Sequence, residues 1–504
     1  MPELPDFDDL YVVSDLHMGG LPGFQILRET KRLAGFIRRL STQTPDRRLA
    51  LVLNGDVIDT LAEDSVSGYV AMDNAVKVVQ DIIERDAFRE IWLALAEFVK
   101  AKNRTLVIVI GNHDIELALP AVQRMLVERL AGGKLDARAR IEFSTTGAGY
   151  ACTVGGEPVY CTHGNEVDAW NYNRYEDLAR LGRRLNVRQP LPADEWHPNA
   201  GTRMVKEVMN EVKRRYAWID LLKPEDSAAI GTLLALDPAQ ARKLTSLASI
   251  LPTKIVGGMV KDQRLGGPDD PAAAAPTGAT LERLLGRDSN IMRAVLDSPP
   301  PLGPRRADDM LRDAEHALGD SLGAGGSAGG SADGTLGTWQ YMWDRVTGWI
   351  TGVPREEALR RALLDWLGDD TSFSLTATDD TSRDILKAVH SDFRFVITGH
   401  THLARAIALG GGRAYFNSGT WIRLIQLTQA MLDDKAAFKR VYDVLEDGKM
   451  TSLDNAQVAG GGGLVLDRTT AVRIYRENGA TRGVLLVVKG DGAANHDEII
   501  HPEA

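Results

Sequence analysis

Five short segments set histidines beside acids, amides and glycines: Ser14-Asp15-Leu16-His17, Gly55-Asp56-Val57-Ile58-Asp59, Gly111-Asn112-His113-Asp114, Thr162-His163-Gly164 and Thr398-Gly399-His400-Thr401-His402. Imidazoles, carboxylates and one amide, with no thiolate, suit borderline or hard divalent ions such as Mn²⁺, Fe²⁺ or Zn²⁺, with Mn²⁺ preferred here. Two ligand sets would require a shared carboxylate. A dinuclear site, with ions roughly 3.5–4 Å apart, clamps a phosphoryl group and lowers the pKa of a bridging water to about 7. Taken singly, each segment has a plainer reading. Asp-x-His after a strand is ordinarily a loop cap with a surface histidine, Gly-Asn-His-Asp is a turn, and His163 alone is a structural histidine. Turn chemistry does not explain five such segments at five strand ends.

The elements that must position them are short apolar runs. Leu10–Val13, Leu49–Leu53 and Thr105–Ile110 lack polar alternation, as expected of strands covered on both faces. Helical periodicity runs through Gln25–Leu40, through Ala75–Ala101 and from Pro120 to about Ala131. Tyr150–Val154 and Pro158–Thr162 flank Gly155-Gly156, a hairpin signal. Arg394–Thr398, Ala414–Ser418, Thr470–Tyr475 and Val484–Val488 read as further strands. In open α/β sheets, ligands bind beyond the carboxyl ends of strands, so the five segments should converge.

Between these two groups of strands the character changes. Residues 169–381 show almost no strand signal and several helices, at Arg203–Leu222, Pro238–Leu251 and Glu356–Leu367. Two low-complexity tracts interrupt them, Leu265–Gly278 and Gly319–Gly337. The second lacks a lysine and follows no strand, so it is a linker and not a phosphate loop. The expected organisation is a core in two parts, 1–168 and 382–504, interrupted by a helical insertion at 169–381 that acts as a lid.

The order D-x-H, G-D-x-x-D, G-N-H-D, H-G and G-H-x-H resembles the calcineurin-like metallophosphoesterase superfamily over residues 10–165 and 390–421. The resemblance implies an α/β fold, a four-layer β-sandwich flanked by helices, and attack of metal-bound hydroxide on phosphorus in line with the leaving group. It implies that Asp15, His17 and His402 hold one metal, that Asp56 bridges, and that Asn112, His163 and His400 complete the second. It makes His113 the general acid or hydrogen-bond donor to the leaving oxygen, oriented by Asp59. Thr60 stands where protein Ser/Thr phosphatases of the superfamily carry arginine, which argues against that branch. Residues 15–20 and 417–421 are similar to the bacterial UDP-2,3-diacylglucosamine pyrophosphatase-like branch. The sequence after His402 departs from it, and that substrate is not carried over.

The remaining features carry less chemistry. Seven of the nine tryptophans fall in the insertion, and Trp339, Trp343, Val346 and Ile350 recur at helical spacing. Such a stripe is first of all packing, and secondarily an apolar face for an amphiphilic substrate or a membrane surface. Arg180, Arg183 and Arg184 share a helix face shortly after His163 and are candidate phosphate contacts, although a solvated face explains them as well. Asn165, Glu166 and Asp168 are candidates to orient His163. Cys152 and Cys161 are expected to be buried free thiols on opposite hairpin strands.

At 504 residues the chain exceeds one ordinary core, and at 44% hydrophobic and 25% charged it matches globular composition. The N-terminus lacks a signal peptide's features, no run spans a bilayer, and two cysteines suit a reducing compartment. A cytoplasmic enzyme is the expectation, acting on a small or amphiphilic phosphoester. A net charge of −10 disfavours a general nucleic-acid binder, which leaves a nuclease as the second reading. A non-catalytic scaffold of the same fold is the third.

Overall fold

A computed structural model describes residues 4–66, 68–168, 170–189, 196–224, 228–237, 354–368, 370–458, 462–466, 468–492 and 497–502. The apolar runs form the strands that they predict. β1 (Asp9–Val13), β2 (Leu49–Asn54), β3 (Arg104–Val109) and β4 (Ile141–Ser144) are parallel neighbours. β5 (Tyr150–Val154) and β6 (Glu157–Cys161) form the hairpin, closed by Gly155-Gly156. β7 (Phe395–Thr398), β8 (Arg405–Gly410), β9 (Arg413–Asn417), β10 (Thr470–Glu477) and β11 (Ala480–Val487) complete the main set.

These strands build two sheets. One has seven strands in the order Glu498–Ile500, β11, β10, β1, β2, β3, β4. The other has six, in the order Asp6–Phe7, β5, β6, β7, β9, β8. The period of two decides what each face meets. Leu10, Val12, Ala50, Val52, Val107 and Val109 point between the sheets, toward Cys152, Val159, Cys161, Ile397 and Phe416. Tyr11, Val13, Leu51, Leu53, Leu106 and Ile108 point the other way. They meet α1 (Thr30–Thr42), α2 (Ala75–Glu84), α3 (Asp86–Lys100) and α4 (Pro120–Ala131). The outer face of the six-stranded sheet packs Tyr160, Val396 and Tyr415 with Ile385 of the helix Asp380–Ala388. The result is four layers, helices on each side of a β-sandwich, as the resemblance implies.

Three helical readings are adjusted. The first helix begins at Thr30, because Leu27 forms a β-bridge with Ile422. The stretch 75–101 is two helices, broken at Arg85, which takes extended backbone (ψ 132°). The helix read at 203–222 runs from Ala200 to Arg215, with a π segment at Val205–Met209. It unwinds at Tyr216, and Leu222–Lys223 pairs instead with Leu424–Gln426. Arg355–Trp366 is helical as expected.

A fourth hydrophobic cluster lies apart from the sandwich. Val208, Val212, Trp218, Leu233 and Leu363 pack with Ile425, Phe438, Val441 and Leu445, the last three on the helix Lys435–Asp447. Trp218 is fully buried, and its Nε1–H donates to the Leu445 carbonyl at 2.7 Å. Residues on both sides of the undescribed stretch therefore share one core. The Trp339–Ile350 stripe, the Pro238–Leu251 helix and both low-complexity tracts lie outside the described residues. Cys152 faces Val159 and Cys161 faces Tyr150, so the thiols are buried, free and not opposite each other.

Candidate metal centre

The five segments follow β1, β2, β3, β6 and β7, and their backbones are stitched together. The amides of Leu16 and His17 both donate to the Asp56 carbonyl at 2.9 Å, and the Gly399 amide donates to the His163 carbonyl at 2.8 Å. Nine non-glycine residues among those described have positive φ, and five of them are Asp15, His17, Asp56, His400 and His402. Such backbone costs free energy and persists where the surroundings over-determine it, which is common at functional sites. Gly111 is required for a different reason: a Cβ there would collide with Asp56 Oδ1 and the Asp56 amide.

Asp15 is fully buried. Its Oδ2 accepts from the His400 amide at 3.1 Å and from the Ser14 hydroxyl, which in turn meets Ser418 Oγ at 2.7 Å. Asp15 Oδ1 lies 3.4 Å from His402 Nε2, and His17 Nε2 lies 3.1 Å from the same nitrogen. Two ring nitrogens and a carboxylate oxygen thus face one point. Asp56 Oδ1 accepts from the His113 amide at 2.9 Å. Its Oδ2 lies 3.3 Å from His163 Nε2 and 3.6 Å from His17 Nε2. Three triads of potential ligands result: Asp15-His17-His402, Asp15-Asp56-His163 and His17-Asp56-His113.

A divalent ion fits this donor set. Asp15 Oδ1, Asn112 Oδ1 and His163 Nε2 are buried with no hydrogen-bond partner, a costly arrangement unless something else satisfies them. His163 Nδ1 lies 2.9 Å from the Asn54 carbonyl, so it donates there and leaves Nε2 turned toward Asp56. A backbone carbonyl that fixes the tautomer in this way is typical of metal-ligating histidines.

His400 is held differently. Its Nε2 meets Asp168 Oδ2 at 2.9 Å, which leaves Nδ1 as its free nitrogen, and its ring lies against that of His163 with centroids 5.3 Å apart. Asp168 therefore orients His400 and not His163. Glu166 caps the Gly164 amide at 2.7 Å, and Asn165 donates to the Asn171 carbonyl. Asp114 was not singled out by sequence. Its two carboxylate oxygens accept from the Gly111 and Val57 amides, each at 2.7 Å, and so tie the third segment to the second.

His113 Nδ1 lies 3.2 Å from Asp59 Oδ1, and Asp59 Oδ2 lies 3.6 Å from His17 Nδ1. Burial alone would lower the His113 pKa, but the carboxylates of Asp59 and Asp56 raise it to about 9. The His163 ring is likewise pushed up to about 10, as Asp56 and Asp15 outweigh burial. Burial opposes ionisation of Asp56 and Asp59, yet the neighbouring histidines hold both carboxyls well below the usual range. His402 goes the other way, down to about 4, through burial and the charge of Lys223. Thr60 is buried, and its hydroxyl lies 2.7 Å from Glu116 Oε2 and 3.1 Å from the His113 carbonyl.

The three candidate phosphate arginines lie on the helix Tyr175–Asn186. Arg180 is exposed and bonds Asp177 on the same helix at 3.0 Å. Arg183 is exposed and Arg184 partly so.

Residues 9–220 match the family model described as calcineurin-like phosphoesterase. Over that stretch the chain is similar to the calcineurin-like phosphoesterase family. The match begins at β1 and extends past His163 into the helix Asn210–Arg215 and beyond it, and the fold and clustered ligands agree with it. No curated protein matches the chain. Among the described residues no helix is long and apolar enough to cross a membrane.

Proposed function

We propose that the chain is a calcineurin-like phosphoesterase: a dinuclear, metal-dependent hydrolase of a phosphate ester, diester or pyrophosphate bond in a small or amphiphilic substrate. The observation that carries the reading is Asp56, whose Oδ2 lies 3.6 Å from His17 Nε2 and 3.3 Å from His163 Nε2 and so faces one proposed ligand of each ion. Asp15, His17 and His402 would hold one ion, and Asn112, His163 and His400 the other. Two divalent ions, Mn²⁺ by preference, would supply charge neutralisation at phosphorus and a water of lowered pKa.

The chain's own residues do the rest. The Asn54 carbonyl holds one nitrogen of His163 and Asp168 one nitrogen of His400; the other nitrogen of each would serve as the ligand. Asp59 holds His113 through Nδ1, which leaves Nε2 to give a proton or hydrogen bond to the departing oxygen. The His113 side chain is 17% exposed while its partner Asp59 is 5%, so within the pair the histidine is the more accessible group. The helical segments of 169–381 would shape access and select the alcohol portion of the substrate. Two buried free thiols support a reducing, cytoplasmic setting.

Metal analysis joined to hydrolysis of a chromogenic monoester and diester tests the reading. Activity that vanishes with chelator and returns with Mn²⁺ supports it. A protein that binds no metal and hydrolyses neither ester contradicts it.

A further inference from the structure

The loop that follows Asp59 does two jobs. Asp59 Oδ1 faces His113 Nδ1 and also accepts from the Ala62 amide at 3.1 Å, capping the short 3₁₀ turn Thr60–Ala62. The position of the carboxylate therefore depends on the path of residues 60–66. Three carbonyls of that path, Leu61, Glu63 and Val66, turn outward and converge on a single group. That group is Lys206 Nζ, at 3.3, 3.5 and 2.8 Å.

An ammonium has three protons and no acceptor, so three converging carbonyls satisfy it fully. One turn along the same helix face, Asn210 Nδ2 donates to the Leu61 carbonyl at 2.9 Å. Lys206 lies within the π segment Val205–Met209. Such wide turns occur mostly singly and often at functional sites. The lysine is half-buried, and burial lowers its pKa against the pull of Asp59, Asp64, Glu116 and Glu63.

We propose that Lys206, seconded by Asn210, is a positioning residue for the Asp59–His113 pair. Through it the helix 200–215, which lies outside the five ligand segments, takes part in protonating the leaving group. The inference rests on the function proposed above. It differs from a purely steric lid, because the helix would then affect the chemical step and not only substrate binding. Lys206 Nζ bonds backbone carbonyls and not the clustered His and Asp side chains; it acts by fixing the loop that carries Asp59.

The test is Lys206→Met, compared on phenyl phosphate and p-nitrophenyl phosphate with Mn²⁺ present. A poor leaving group needs the proton of His113, and a good one does not. The expected result is a loss of kcat of roughly 10-fold on the phenyl ester and less than about 2-fold on the nitrophenyl ester, with KM and metal content unchanged. Hydrogen exchange should quicken in residues 60–66 and stay slow in β1–β3. A kcat that falls equally on both esters, or on neither, overturns the proposal, as does unchanged exchange in the loop. If Lys206→Met does not fold, Asn210→Ala removes a single bond to the same carbonyl and should show the same split at smaller size; no split overturns the proposal. A wild-type protein that hydrolyses neither these monoesters, nor bis(p-nitrophenyl) phosphate, nor a nucleoside diphosphate conjugate overturns the phosphoesterase reading itself, which separates that failure from this one.

Discussion

Asp56→Asn distinguishes a two-ion site from two separate ones. Asparagine keeps the side-chain volume and the oxygen that accepts from the His113 amide at 2.9 Å, so the loop has no reason to move. What disappears is the charge facing His163 at 3.3 Å and His17 at 3.6 Å. A ligand present at a thousand times its Kd stabilises the folded state by about 4 kcal/mol. With roughly 2 °C of Tm per kcal/mol for a large domain, each ion is worth on the order of 8 °C. The assay is thermal unfolding with chelator and with Mn²⁺. Wild type should gain roughly 16 °C with both ions bound, and His402→Ala, which lacks a ligand to one ion, roughly half of that. Asp56→Asn should gain less than about 2 °C, since both ions lose their shared carboxylate. A Mn²⁺-induced gain in Asp56→Asn equal to or above that of His402→Ala would refute the bridging role.

Further outcomes follow from the same geometry. His113→Asn should retain metal and lose roughly 10²–10⁴ in turnover on a poor leaving group, with a smaller loss on nitrophenyl esters, as measured by steady-state kinetics. Asp168→Ala should weaken the ion held by His400 by roughly 10–100-fold while leaving the other in place, and metal titration would show two classes of site where wild type shows one. Metal loading should release protons. His163, raised to about 10 in the metal-free site, is charged at neutral pH and must give up its proton to become a ligand, so affinity falls as pH falls. Calorimetry in buffers of different ionisation enthalpy reads that release directly.

The sandwich was legible because its strands are covered on both faces, which erases polar alternation and leaves runs such as Leu49–Asn54. The histidine segments were legible because ligand types recurred at strand ends. β8, with the sequence RAIALG, was not, since those residues suit helix or turn as readily as strand. The helix Lys435–Asp447 also went unread, and it packs with residues from the other side of the undescribed stretch. The break at Arg85 has a tertiary cause: its guanidinium grips both carboxylate oxygens of Glu63 at 2.8 Å and the Gly20 carbonyl at 2.8 Å. In the candidate site, the clustered side chains could be listed from sequence, whereas the Asn54 carbonyl beside His163 could not. A backbone acceptor leaves no residue-type signal. Lys206 was hidden for the related reason that its three partners are carbonyls.

The phosphoesterase reading stands on one buried carboxylate, Asp56, joining two metal positions. Metal content and hydrolysis of bis(p-nitrophenyl) phosphate and p-nitrophenyl phosphate, followed together during stepwise Mn²⁺ titration of the metal-free protein, test it most directly. Two ions per chain are expected, with turnover appearing only as the second one binds. Full turnover with one ion bound, or two ions bound without hydrolysis of either ester, would contradict it.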